Sequence, residues 1–209
     1  MPNKKEVQKA TQDDTFDCLH YIGQLLRSGR INDSALLTTL KKEIYSIHKI
    51  VIAAIHAIQN EGRLIYIMPG SSERIHIIDV NGPVRPQHSV AGKKYCSKTG
   101  GNELLARIEM NELQISPRDM VICFVPAAGF SAYADSSLKY AKKNGAMTAG
   151  ILLGKKAEKE ISAHLNVCLD LREDSVHFQK AWLQKVLIHL VSNTASSYII
   201  NYELKQISF

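Results

Sequence analysis

The stretch that decides the fold is LIYIMPGSS, residues 64–72. Five apolar residues, with β-branched and aromatic side chains at the centre, stop at a proline and a glycine, which predicts a buried strand that ends in a tight loop. The pattern repeats at 120–131, MVICFVPAAGFS. Further strands are predicted at 147–153 and 167–171. Strands that alternate with helices in this way are typical of a parallel sheet with helices on both faces.

The segments between the strands have apolar side chains at helical spacing, which predicts a helix in each of them. The predicted helices cover 13–27, about 34–59, 103–114, 132–144 and about 176–205. Residues 73–79 are predicted to form a further short helix, and 81–102 are mostly loop. We therefore divide the chain into an N-terminal helical segment, 1–32, and an α/β domain, 33–209.

The composition is that of a globular protein. The 209 residues are 45% hydrophobic and 22% charged, and the formal net charge is +6. These values argue against disorder, and no apolar run approaches the ~18 residues that suggest a membrane span. No motif for nucleic acid is present, so we expect neither a nucleic-acid partner nor a membrane association.

The four cysteines, Cys18, Cys96, Cys123 and Cys168, contain no Cys-x-x-Cys pair. They are interpreted as free thiols of a cytoplasmic protein, with no metal site and no cofactor.

Two loops carry glycine and serine at equivalent places of the two repeated units. The first contains Gly70, Ser71 and Ser72, and the second contains Gly129 and Ser131. In parallel sheets, ligands bind beyond the carboxyl ends of the strands, and backbone amides with hydroxyls at helix N-termini can hold a phosphate group. The pair of loops therefore indicates a phosphate site.

Four stretches resemble a known family. They are GRLIYI at 62–67, GSSER at 70–74, AGFSAY at 128–133, and Ser175 followed by Gln-Lys at 184–185. Together they resemble the sugar isomerase (SIS) fold family of phosphosugar-binding domains. Within that family the chain is most similar to the N-acetylmuramic acid 6-phosphate etherases and the glucokinase regulatory proteins. The resemblance covers about 35–205.

The resemblance implies a three-layer α/β sandwich with a five-stranded parallel sheet, and a phosphosugar site near a dimer interface. By position, the phosphosugar-binding residues would be Gly70, Ser71, Ser72, Arg74, Gly129, Ser131 and Ser175. Ser71, Ser72 and Ser131 would hold the phosphate, and Ser175 would approach the sugar. Arg63 also falls on a family arginine, and Tyr133 falls on a family tyrosine whose role, packing or lining the site, stays open.

The chain departs from the etherases at their acidic residues. Gly82 stands where the first glutamate is expected, and 96–98 lack an acid where the second is expected. The nearest carboxylate is Glu103. Because glycine and serine cannot act as general bases at neutral pH, etherase chemistry is not expected.

We therefore predict a cytoplasmic SIS-fold protein that binds a phosphorylated sugar, could act as a sensor or regulator, and forms a homodimer or homotetramer. Two alternatives stay open. One is a phosphosugar isomerase or lyase with relocated acid and base residues, for which Glu103 and His177 are the candidates. The other is an interaction protein on the same fold that has no ligand.

Overall fold

The computed structural model describes residues 34–68, 75–78, 103–126, 132–154, 162–169, 183–184, 186–188 and 190–195. Within these residues lie four bounded helices and five strands. They are α1 (Ser34–Lys42), α2 (Ile44–Gln59), β1 (Leu64–Ile67), β2 (Ile75–Ile78), α3 (Glu103–Glu112), β3 (Met120–Pro126), α4 (Ala132–Lys143), β4 (Met147–Leu153) and β5 (Leu165–Leu169). The described residues from 183 to 195 are helical and are called α5. The predicted helix at 13–27 and the domain boundary at 32/33 fall outside the described residues.

The strands form one sheet in the order β2-β1-β3-β4-β5. The pairs β1–β3, β3–β4 and β4–β5 are parallel, whereas β2 pairs antiparallel with β1. The predicted α/β sandwich is confirmed. The prediction of a short helix at 73–79 is wrong, because residues 75–78 form a strand. Ile75 and Ile77 of this strand lie opposite Ile67 and Ile65 of β1.

The sheet separates two hydrophobic layers. Leu64 and Tyr66 of β1 face the layer formed with α1, α2 and α5. Ile65 and Ile67 face the other layer, formed with α3 and α4. Successive side chains of a strand point to opposite faces, so a continuous apolar run serves both layers at once. This arrangement is the three-layer sandwich expected from the sequence.

Helix α2 joins β1 through a tight turn. The amide of Gly62 donates to the carbonyl of Ala57 at 2.8 Å, and that of Glu61 donates to Ile58 at 2.9 Å, which is a Schellman motif. Glu61 takes the left-handed conformation, with φ 57°. Gly62 is required for a different reason, because a Cβ there would lie 1.8 Å from the carbonyl oxygen of Arg118.

Helix α1 and helix α2 replace the single helix predicted from about 34 to 59. A turn at Glu43 separates them. Among the described residues, no helix is long and apolar enough to reach across a bilayer.

Candidate functional site

The sheet has a switch point between β1 and β3. These strands are adjacent and parallel, with Ile67 opposite Cys123. After β1 the chain moves outward to β2 at one edge, and after β3 it moves in the other direction to β4. A crevice forms at the carboxyl ends of strands where such connections diverge, and ligands of α/β proteins bind there.

The two glycine and serine loops begin at this switch point. Residues 69–74 follow β1, and 127–131 follow β3. The loop residues themselves lie outside the described part of the chain, as do Ser175 and His177. These predicted site residues, namely Gly70, Ser71, Ser72, Arg74, Gly129, Ser131, Ser175 and His177, therefore stay predictions. The structure shows that β1 and β3 end at the same edge of the sheet, where both loops begin.

The two loops lead into different kinds of element. Residues 127–131 lead directly into α4, a helix of 12 residues that begins at Ala132. Residues 69–74 lead into β2, so they do not precede a helix, contrary to our prediction. Only the second loop can therefore use helix N-terminal amides to attract an anion.

A carboxylate, that of Asp135, lies in the first turn of α4. Asp135 is buried, and Lys139 Nζ lies 2.6 Å from its Oδ2. Burial raises the pKa of Asp135, but the hydrogen bonds from Lys139 and Ser162 and the charge of Lys139 outweigh burial and lower it. Asp135 is therefore ionised and paired with a cation, which reduces its repulsion of an anion at the helix N-terminus.

Glu103 is the one candidate catalytic residue that the structure describes. It begins α3 and is exposed, and the hydroxyl of Ser136 donates to its backbone carbonyl at 3.3 Å. Its negative charge also acts on Lys139 of α4. The structure therefore brings Glu103 beside the first turns of α4, on the side of the sheet where 127–131 begin.

Tyr133 packs between helices. It is 1% exposed, and its hydroxyl donates to the carboxylate of Glu109, which is also buried. This contact joins α3 to α4. Glu109 was not singled out in the sequence. Its burial could have been predicted from its helical spacing from Ala106 and Met110, the two other buried residues of α3.

Arg63 lies at the opposite, amino-terminal edge of the sheet. Its Nε donates to Asp119 Oδ1 at 3.0 Å, and its Nη2 donates to Oδ2 at 2.8 Å. The backbone amides of Arg63 and Ser116 also donate to the Asp119 carboxylate, at 3.0 and 2.8 Å. Arg63 therefore ties the start of β1 to the start of β3, and its side chain is directed away from the switch point.

A groove of about 770 Å³, which we call the amino-edge groove, opens beside this ion pair. One wall is a face of α2 with Lys49, Ile52, Ala53, His56 and Ala57. The other wall is formed at the starts of the strands, by Arg118, Met147, His164 and Leu165. Sequence patterns did not reveal the groove, because its walls come from separate segments that only the folded sheet brings together.

In the part of the chain that is described, no cluster of His, Cys, Asp or Glu could hold a metal ion. Cys123 is buried, and burial raises the pKa of its thiol.

Comparison with known proteins gives relatives named N-acetylmuramic acid 6-phosphate etherase. The chain is 31% identical to an N-acetylmuramic acid 6-phosphate etherase of Bacillus cereus over 192 aligned residues. The alignment covers 84% of this chain and 65% of the relative. A Bacillus anthracis protein of the same name gives the same identity and coverage. The chain thus spans 65% of the length of the curated relatives it matches. No family model matches the chain.

This similarity supports the relationship to the SIS family that the sequence motifs indicate, since the etherases are the group that the motifs pointed to.

Proposed function

We propose that this chain binds a sugar phosphate in the crevice between β1 and β3 and has no etherase activity. The observation that carries the proposal is the position of the two loops, since 69–74 and 127–131 both begin at the switch point of the sheet. The similarity to proteins named for a phosphorylated sugar substrate agrees with that position.

In this proposal Ser71, Ser72 and Ser131 donate hydroxyl hydrogen bonds to the phosphate. The first-turn amides of α4 add a positive partial charge, because the N-terminus of a helix attracts anions. Arg74 contributes a permanent charge, and Ser175 contacts the sugar. Gly70 and Gly129 allow the backbone to approach the ligand closely.

The absence of the two acidic residues expected in an etherase explains why binding is proposed in place of ether cleavage. Gly82 replaces the expected first glutamate, and 96–98 contain no carboxylate. A sensor or regulator of phosphosugar levels needs only the binding site. A dimer or tetramer and a cytoplasmic location belong to the same proposal.

A second candidate function is a phosphosugar isomerase or lyase that uses Glu103, with His177 as a further acid or base. The position of Glu103 favours this candidate function, because its backbone carbonyl oxygen lies 3.3 Å from the hydroxyl of Ser136 in the first turns of α4. This reaction would move a proton on the sugar and needs a group within hydrogen-bond distance of that proton.

The test is a thermal-shift screen against phosphates of fructose, glucose, glucosamine and N-acetylmuramic acid, with inorganic phosphate as the ligand control. A ligand at 100 times its dissociation constant adds about 2.7 kcal/mol to the free energy of unfolding. At about 2–4 °C per kcal/mol, the melting temperature rises by about 5–10 °C. We expect this rise with one sugar phosphate and a smaller one with phosphate alone.

Variants then locate the site. Ser71→Ala and Ser131→Ala are expected to remove the shift, and Ser116→Ala, at the amino-terminal edge, is the matched control that keeps it. A shift that survives both serine changes would refute the proposed site.

The absence of a shift with every sugar would favour an interaction protein without a ligand. Lactate release from N-acetylmuramic acid 6-phosphate would refute the lack of etherase activity, and turnover lost in Glu103→Gln would favour the second candidate.

A further inference from the structure

Helix α2 is apolar over a wide face. Val51, Ala54 and Ile58 are buried against the sheet, and Ala57 belongs to the same core. Ile52 and Ala53 pack against the edge of that core but stay partly exposed, and they line the amino-edge groove. Apolar side chains left partly exposed beside a groove indicate a further packing partner.

The opposite wall of the groove is also apolar. Met147 remains 41% exposed at the start of β4, although the six residues that follow it in the strand are buried. Leu165, at the start of β5 and paired with Ala149 of β4, also lines the groove and is half-buried. Burial of such side chains contributes about 25 cal/mol for each Å² removed from water.

The rim of the groove is basic. Lys49 lies near one end and Arg118 lies at the strand starts. His164 lies beside Arg118, but burial and the charge of Lys142 lower the pKa of its imidazole, so it adds no charge near pH 7. Asp119 also reaches the groove, but its charge is neutralised by Arg63. Within the described residues, Arg118 pairs loosely with Glu61, at 3.7 Å between two exposed side chains. A partner with an apolar face and acidic residues fits these walls.

We propose that residues 13–27 of this chain dock in the amino-edge groove as an amphipathic helix. Their sequence places Phe16, Leu19, Ile22 and Leu26 at helical spacing, which supplies the apolar face. The same segment holds three aspartates, Asp13, Asp14 and Asp17, against one arginine, Arg27. The segment is therefore acidic in a chain whose net charge is +6.

A short stretch of chain connects the segment to α1. Residues 28–33 precede α1 and span at most about 20 Å when extended. A helix of residues 13–27 is about 22 Å long, and the α2 wall of the groove, from Lys49 to Asn60, is about 17 Å long. Because α2 runs toward the amino-terminal edge, the proposal places this helix antiparallel to α2. Its acidic first turn then lies near Arg118.

The experiment is chemical cross-linking of the full chain. Cys18 lies at the margin of the predicted apolar face, and Ala53 lines the groove. In a background with Cys96→Ser and Cys168→Ser, Ala53→Cys is treated with a short bis-maleimide, and peptides are mapped by mass spectrometry. Cys123 is fully buried and does not react. The matched control is Leu104→Cys, which is 65% exposed on α3, across the sheet.

We expect an intramolecular link between residues 18 and 53 in the monomeric band, and none between 18 and 104. Links found only between two chains would overturn the proposal in favour of a second copy in the groove. Equal linking in both variants would also overturn it.

If neither variant forms a link, a second measurement decides. Adding Leu19→Asp and Ile22→Asp is expected to increase the labelling rate of the Ala53→Cys thiol at least tenfold and to leave that of the Leu104→Cys thiol unchanged. An unchanged rate at position 53 would overturn the docking.

Discussion

Replacement of Asp119 tests whether its ion pair with Arg63 stabilises the fold. The Asp119 side chain is 2% exposed and accepts hydrogen bonds from the Arg63 side chain and from the amides of Arg63 and Ser116. Asp119→Ala leaves these donors without their acceptor in a largely buried place. Removal of one partner from a buried ion pair costs about 3–5 kcal/mol.

The expected loss lies at the lower end of that range, at about 3 kcal/mol, because Arg63 is 27% exposed and can regain water. At about 2–4 °C per kcal/mol, the melting temperature falls by about 6–12 °C. Arg118→Ala is the matched control. It removes an exposed pair with Glu61 at 3.7 Å and should cost less than about 1 kcal/mol.

Urea unfolding followed by circular dichroism measures both variants. Burial raises the pKa of Asp119, but the hydrogen bonds from Arg63 and the backbone outweigh burial and lower it below its ordinary value of 3.8. The folded chain therefore binds fewer protons than the unfolded chain, and this stabilisation is lost as pH falls below about 4 through the folded pKa. The acid-side decline should be shallower in Asp119→Ala. Equal stability losses in Asp119→Ala and Arg118→Ala would refute the structural role of the Arg63–Asp119 pair.

Three further predictions concern single side chains. Glu61→Gly should raise the free energy of unfolding by about 0.5–1 kcal/mol, because glycine adopts the left-handed turn without strain; a loss in urea unfolding would contradict this. Tyr66→Phe should lower it by about 1–2 kcal/mol, because the buried hydroxyl of Ser192, 2.8 Å from that of Tyr66, loses its partner; an unchanged value would mean that the contact adds nothing. Burial lowers the pKa of His48, so stability should fall as pH drops below about 6.5, and His48→Leu should reduce that fall; an identical pH profile of melting temperature would exclude His48 as its source.

The strands that combine apolar runs with clear stop signals were predictable from the sequence. The seven residues of β4 lie between Gly145 and Gly154, and both ends were predicted correctly. In contrast, 73–79 contain too few residues to separate a helical spacing from an alternating one. Pairing with β1, which is a tertiary contact, makes the segment a strand.

Other features depended on contacts that no local pattern contains. The break between α1 and α2 falls at Glu43, a good helix former, so neither glycine nor proline marks it. Arg63 was matched to a family arginine by position. Its partner, Asp119, is 56 residues away in the sequence, and only the β1–β3 pairing brings the two together. For the candidate site, the sequence predicted that the two loops follow strands of the sheet. The segment after the first loop was predicted to be a helix and is the strand β2.

The antiparallel pairing of β2 has a consequence for residues 68–74. Ile67 and Ile75, which flank them, are paired across β1 and β2, so folding holds both ends of the segment in place before any ligand arrives. Part of the entropy loss of ordering this segment is thus incurred during folding and does not weaken ligand affinity. Under the proposed function, loosening the outer strand at Ile77, whose partner is Ile65, should therefore weaken sugar-phosphate binding without altering any group that contacts the ligand.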